Sequence, residues 1–222
     1  MPQLIGIFGG SFDPIHKGHV DSVGLLDQVL REQKVIFERI HWVLSARPPH
    51  KEQLSASVEH RFAMLELALK RYSRYVVDDV EVKRKEKSYT IDTIRHFQQK
   101  YPKAYLNLII GADSLVNLHT WSNYEELINS VNLLVLNRPG YKCDVPEYLS
   151  DRILLSSTQL CKFKAGKLVL LSSSAFDVSS TVLRQALGQK EPNVIDQGLV
   201  SNFLDQSVLE YIHRHGLYKN TI

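Results

Sequence analysis

His16 and His19 stand three residues apart in the run Gly9-Gly10-Ser11-Phe12-Asp13-Pro14-Ile15-His16-Lys17-Gly18-His19, between an apolar run and a stretch of helical periodicity. Residues at that spacing share one face of a helical turn, so the two imidazoles can act together. Gly9 and Gly10 lack side chains, which lets a phosphate or ribose approach the backbone. A helix starting near Gly18 turns unpaired N–H groups and the positive end of its dipole to the same place, a natural anion site. Lys17 adds charge. Together these groups suit a triphosphate or a pyrophosphate. The same residues also read as an ordinary turn, since Gly-Gly often ends a strand and the chain has nine histidines. The run is not a Walker loop, because no GK[ST] follows, and it is not the GxGxxG fingerprint. Its HxxH spacing lacks the Glu and the full-turn separation of a zinc-protease motif, so no metal-ligating side-chain set is expected.

Four more segments carry polar groups placed for chemistry. Arg47-Pro48-Pro49-His50-Lys51 is a rigid proline loop, with Lys51 either solvated or facing an anion. Lys87-Ser88-Tyr89-Thr90-Ile91-Asp92-Thr93 precedes a helix, and Ser88 or Thr90 is a good N-cap. That capping explains the residues by itself, yet free amides there can also hold a carboxylate. Asp113 follows an apolar run, where it can cap a helix or accept bonds from ribose hydroxyls or base amines. Trp121 is core or a stacking platform, and Arg138 in Asn137-Arg138-Pro139-Gly140 is an ordinary turn residue. In Val178-Ser179-Ser180-Thr181-Val182-Leu183-Arg184, residues 179–181 can cap a helix and Arg184 lies one turn inside it. Read from this string alone, it is a capped surface helix with a solvated Arg. The alternative is that Ser180, Thr181 and the Arg184 guanidinium fork hold phosphate oxygens.

Short apolar runs alternate with helical stretches, and that rhythm must position these residues. Strands are expected at 4–8, 40–44, 75–82, 106–110, 131–136 and 167–171. Helices are expected at 18–31, 58–71, 90–100 and 207–215, with Gly216 as the last C-cap. A polar loop spans 46–57. Strands separated by helices imply parallel βαβ units, hence an open α/β sheet with helices on both faces. Ligands collect at the carboxyl ends of such strands, where the glycine and histidine run lies.

At 222 residues the chain is expected to form one domain, 1–222, with a C-terminal helical part from about 178. A net charge of +3 is too mild to argue for nucleic acid or membrane. The two cysteines, Cys143 and Cys161, exclude a disulfide-dense scaffold. No apolar run approaches the ~18 residues of a membrane span. The N-terminal stretch lacks the basic region of a secretory signal, and a cytoplasmic location is the expectation. A homo-oligomer is compatible with all of this.

The string GGSFDPIHKGH resembles the signature of the nucleotidyltransferase superfamily, whose short core reads HxGH or TxGH. It resembles most the bacterial nicotinate-nucleotide adenylyltransferases. The S-Y-T-x-D-T, G-A-D…W, R-P-G and S-S-T-x-x-R strings fit the same family in the same order. In this chain Val178 and Leu183 replace isoleucines. The lead-in to the last helix, 202–206, lacks the family's proline, and 188–201 looks extended. The resemblance implies a Rossmann-like fold and transfer of AMP from ATP to nicotinate mononucleotide, with Mg²⁺ carried on the ATP phosphates. It implies catalytic roles for His16, His19 and Arg184. ATP would meet Gly9, Gly10, Ser11, Phe12, His16, His19, Asp113, Ser180, Thr181 and Arg184. Nicotinate mononucleotide would meet Lys51, Ser88, Tyr89, Thr90, Trp121 and Arg138. The readings set against it are a related transferase for nicotinamide mononucleotide or phosphopantetheine, a class I aminoacyl-tRNA synthetase fragment, and a non-catalytic nucleotide sensor.

Overall fold

Alternate residues of the central strands enter two different cores, as a sheet covered on both faces requires. In β1 (Leu4–Gly10), Leu4 and Phe8 join one core while Ile5 and Ile7 join the other. The computed structural model describes residues 2–49, 54–137, 143–172, 178–189 and 194–219. Within them β2 (Arg39–Leu44), β3 (Tyr75–Asp78), β4 (Tyr105–Gly111), β5 (Asn132–Asn137) and β6 (Leu168–Ser172) complete the sheet. The strand order is β3-β2-β1-β4-β5-β6, and every neighbouring pair is parallel. The order reverses between β1 and β4, so their carboxyl ends flank a crevice.

Helices α1 (Lys17–Glu32) and α2 (Val58–Leu69) follow β1 and β2 and place Val23, Leu26, Met64 and Leu65 in the first core. The C-terminal helices α7 (Ser180–Gly188), α8 (Val194–Phe203) and α9 (Gln206–His215) join the same core through Leu183, Val200, Val208 and Ile212. The second core receives Ile94 and Phe97 of α4 (Thr90–Lys100), Leu115 of α5 (Ala112–Val116) and Leu127 of α6 (Tyr124–Ser130). Between β3 and α4 the chain makes a single helical turn, α3 (Val80–Lys83). Among the described residues no helix is long and apolar enough to cross a membrane.

Several expectations from the sequence change here. The strand expected at 75–82 stops at Asp78, because the Asp78 carboxylate accepts the Val80 N–H at 3.1 Å and turns the chain into α3. The first strand does not end before its glycines: Gly9 and Gly10 pair with Val43 and Leu44 of β2. The stretch 188–201, whose conformation the sequence leaves open, is helical from Val194. The last helix ends as expected, with Gly216 left-handed at φ 60°.

Candidate active site

The turn between β1 and α1 opens at Ser11, at the mouth of the crevice. Gly9 is exposed, and a Cβ there would meet only the Val43 carbonyl oxygen at 4.0 Å. Its backbone is therefore open to a ligand. Gly10 is different, since a Cβ there would lie 2.7 Å from the Phe12 ring. Phe12 is left-handed at φ 43° and 1% exposed, with its ring against Phe8 and Trp42. Its side chain belongs to the core, and what it offers a ligand is backbone.

The paired imidazoles are brought together as the spacing predicts. The His16 and His19 ring centroids are 3.7 Å apart. His16 is the N-cap residue of α1, and its backbone N–H donates to His19 Nδ1 at 3.3 Å. A nitrogen that accepts cannot carry the proton, so neutral His19 holds its hydrogen on Nε2. Phe12 meets the His19 ring edge-on, centroids 5.2 Å apart. A fixed tautomer on a braced ring makes His19, half-buried, a ready donor. Gly18 lies against the His16 ring: a Cβ there would stand 3.0 Å from both His16 Nδ1 and Val178 Cγ1, so a glycine two residues after His16 has a packing cause.

His16 is 5% exposed, and burial lowers its pKa from 6.5 to about 4. It is neutral at pH 7. The unfolded chain accepts a proton below pH 6.5 that the folded chain refuses until about pH 4. Stability from this group is therefore complete above 6.5 and falls as pH drops toward 4, by about 1.4 kcal/mol per pH unit in between. An NMR titration of the His16 ring is expected to show a midpoint near 4, rising when an ATP analogue places phosphate beside it. A midpoint near 6.5 in the free protein would contradict the burial.

The second motif docks on this turn. Ser179 is the N-cap of α7 and its side chain accepts the Val182 N–H at 3.3 Å. The Ser180 hydroxyl donates to the Pro14 carbonyl oxygen at 3.0 Å. Arg184 is not a solvated helix residue: Nη1 donates to the Asp13 carbonyl oxygen at 2.6 Å and Nη2 to Thr181 Oγ1 at 3.2 Å. Two of the guanidinium's five N–H groups are used in these bonds.

Two residues behind the turn went unassigned from the sequence. Asp13, joined to Pro14 by a cis peptide bond, is buried. Its carboxylate accepts the Ser55 N–H at 2.7 Å and the Ala56 N–H at 3.1 Å. Arg61 of α2 is 1% exposed and spends its fork on carbonyl oxygens: Ser11 and Ser45 at 2.8 Å, Ala46 at 2.9 Å and Ala56 at 3.2 Å. An uncompensated buried charge is costly, and four acceptors offset that cost.

On the other side of the crevice the expected caps are not caps. Tyr89 is the N-cap of α4 and makes no side-chain capping bond, while Thr90 is the first helical residue. Ser88 instead closes a two-way bridge to the proline loop: Arg47 N–H to Ser88 Oγ at 3.1 Å, and Ser88 N–H to the Arg47 carbonyl oxygen at 3.0 Å. Arg47 also donates to the Arg84 carbonyl oxygen at 2.6 Å. Buried Glu81 of α3 accepts the Thr93 hydroxyl at 2.7 Å, and its burial raises its pKa. Tyr89 and Trp121 both pack, partly buried, against the second core. Asp113 is exposed in the first turn of α5, and its Oδ1 lies 2.5 Å from where a Cβ at Gly111 would stand. Lys51 and Arg138 lie outside the described residues. Among the described residues no three His, Cys, Asp or Glu side chains converge as metal ligands.

The sequence profile of the cytidylyltransferase-like family matches residues 7–186. A probable nicotinate-nucleotide adenylyltransferase of Pectobacterium atrosepticum is 35% identical, with 99% of this chain and 100% of that protein covered. One from Citrobacter koseri is 33% identical, with the same coverage. Among solved structures, the Plasmodium falciparum nicotinic acid mononucleotide adenylyltransferase complexed with NaAD superposes with a TM-score of 0.72 at 21% identity, covering 97% of both chains. Its complex with APC gives 0.71 at 20% identity, again over 97% of both. These two structural likenesses show the fold.

Proposed function

The chain belongs to the cytidylyltransferase-like family and, within it, to the nicotinate-nucleotide adenylyltransferases, and on that premise we propose how its residues carry out the reaction. AMP passes from ATP to nicotinate mononucleotide, giving nicotinate adenine dinucleotide and pyrophosphate. An acceptor phosphate oxygen bonds to the α-phosphorus, the bond from that phosphorus to the bridging oxygen breaks, and pyrophosphate leaves with the electron pair. A phosphate monoester with a second pKa near ~6 is mostly dianionic at pH 7, so no strong base is required. The task is to bring two anions together and to stabilise charge as it moves onto pyrophosphate.

The observation that carries this reading is the docking of Ser180 and Arg184 onto the turn that presents His19. It brings donors from two distant stretches of chain to one turn. His19 donates from Nε2, Arg184 from its remaining N–H groups, and α1 from its first amides. His16 contributes as a neutral group. Asp113 takes the ribose hydroxyls or base of ATP at the end of β4. Mg²⁺ would ride on the ATP phosphates, since it keeps waters and phosphate oxygens as ligands. The donor set fits that: the Asp13 carboxylate is already occupied by main-chain N–H groups. When bound, the ion would neutralise charge on the departing pyrophosphate.

The nicotinate ring stacks on Trp121, with its carboxylate toward Tyr89 and Thr90. Lys51 and Arg138 supply positive charge to this end of the acceptor. Because Tyr89 does not cap α4 with its side chain, the first amides of that helix keep their donors for a carboxylate. A carboxamide turns an NH₂ on those donors and leaves groups unpaired, costing about 1–3 kcal/mol each. Wild-type protein is expected to prefer nicotinate mononucleotide over nicotinamide mononucleotide by at least about tenfold in kcat/KM. A pyrophosphate-release assay with the two acceptors checks this. Equal use of both would remove the carboxylate pocket and leave adenylyl transfer standing.

A further inference from the structure

The turn that presents the imidazoles is also held from the C-terminal tail. After α9 the chain turns at Gly216, and the Leu217 N–H bonds back to the Ile212 carbonyl oxygen at 3.0 Å. Tyr218 then adopts a left-handed conformation, φ 64°, unusual for a bulky residue. It is 5% exposed, and its hydroxyl donates to Asp13 Oδ1 at 2.8 Å, across 205 positions of sequence. Burial and the neighbouring Asp13 carboxylate push its pKa up, so it stays a donor. Asp13 thus holds four partners: Ser55, Ala56 and Tyr218 on its carboxylate and Arg184 on its main-chain oxygen. Its next neighbours in sequence lead straight to His16.

We propose that Tyr218 is a positioning residue for adenylyl transfer: its hydroxyl fixes Asp13, and through Asp13 it fixes the carbonyl oxygen that aims the Arg184 guanidinium. This rests on the reading of the site given above. The bond reaches the site through the Asp13 carbonyl oxygen that receives Arg184, so it acts on the use of ATP and on turnover. Tyr218 touches neither substrate. The residue supplies rigidity, and the left-handed backbone is the geometry that brings a tail side chain to the turn.

The test uses Tyr218→Phe, which keeps the ring and removes the hydroxyl, so the packing that folds the tail is retained. Steady-state kinetics with ATP and nicotinate mononucleotide are expected to show kcat/KM for ATP down about tenfold and KM for the acceptor within about twofold. The same substitution is then made in an Arg184→Lys background, with melting curves confirming that all forms are folded. If Tyr218 acts through Arg184, the substitution costs less than about twofold there, because the effects of coupled residues do not add. Unchanged ATP kinetics in folded Tyr218→Phe, or the full tenfold loss repeated in the Arg184→Lys background, overturns the proposal. Equal losses in both substrates' KM values would also overturn it, as a general loosening of the fold. A wild-type protein that released no pyrophosphate from these substrates would instead defeat the reading of the site.

Discussion

His19→Ala lowers kcat by about 10²–10³ while the KM for nicotinate mononucleotide stays within about threefold. The cause lies in where the proton sits. His16 N–H donates to His19 Nδ1, so the neutral imidazole carries its hydrogen on Nε2. The ring is braced by Phe12 and stacked near His16, so the donor is already oriented before reaction begins. Such a donor gains most when charge moves onto the leaving pyrophosphate, and little when the acceptor merely binds. Loss of a preorganised donor at comparable sites costs this much in turnover. Rapid-quench or steady-state turnover with purified variant is the measurement, and near-normal kcat would remove His19 from the mechanism.

Arg184→Lys lowers kcat/KM for ATP by about 10- to 100-fold, the equivalent of about 1.5–3 kcal/mol for a hydrogen bond to a charged group. The guanidinium holds the Asp13 carbonyl oxygen with one nitrogen and Thr181 with another, and it has N–H groups left for phosphate. A planar fork can do these things at once in fixed geometry. A lysine ammonium is one point of charge on a flexible stem, and reaching the carbonyl takes it away from the phosphate. Wild-type values for this variant, at a melting temperature close to wild type, would make Arg184 only a tie between α7 and the turn.

The sheet was legible because its strands are nearly continuous apolar runs separated by helical periodicity, a pattern that fits a parallel sheet buried on both faces. The places where the reading slipped are local hydrogen-bond events. Asp78 ends a strand whose apolar pattern continues into Val80 and Val82, because one carboxylate accepts one N–H. Ser88 is a suitable cap by type, yet its hydroxyl is engaged by Arg47, whose partner cannot be read from sequence distance. His16, His19 and Arg184 could be singled out through their strings, and the structure brings all three to one turn. Arg61 left a signal that could have been used: a charged residue on the same helical face as Met64, Leu65 and Ala68 must find buried acceptors. Tyr218 left none, since nothing in a tyrosine after a helix-ending glycine announces a partner at residue 13.

Arg61 has one more consequence. A single guanidinium grips the Ser11 oxygen in the turn after β1 and the Ser45 and Ala46 oxygens in the chain that leaves β2. A ligand that shifts one set of carbonyls loads the other through a rigid plane. Any two ligands that pressed on the two loops would share a coupling free energy, and such coupling is reciprocal by necessity.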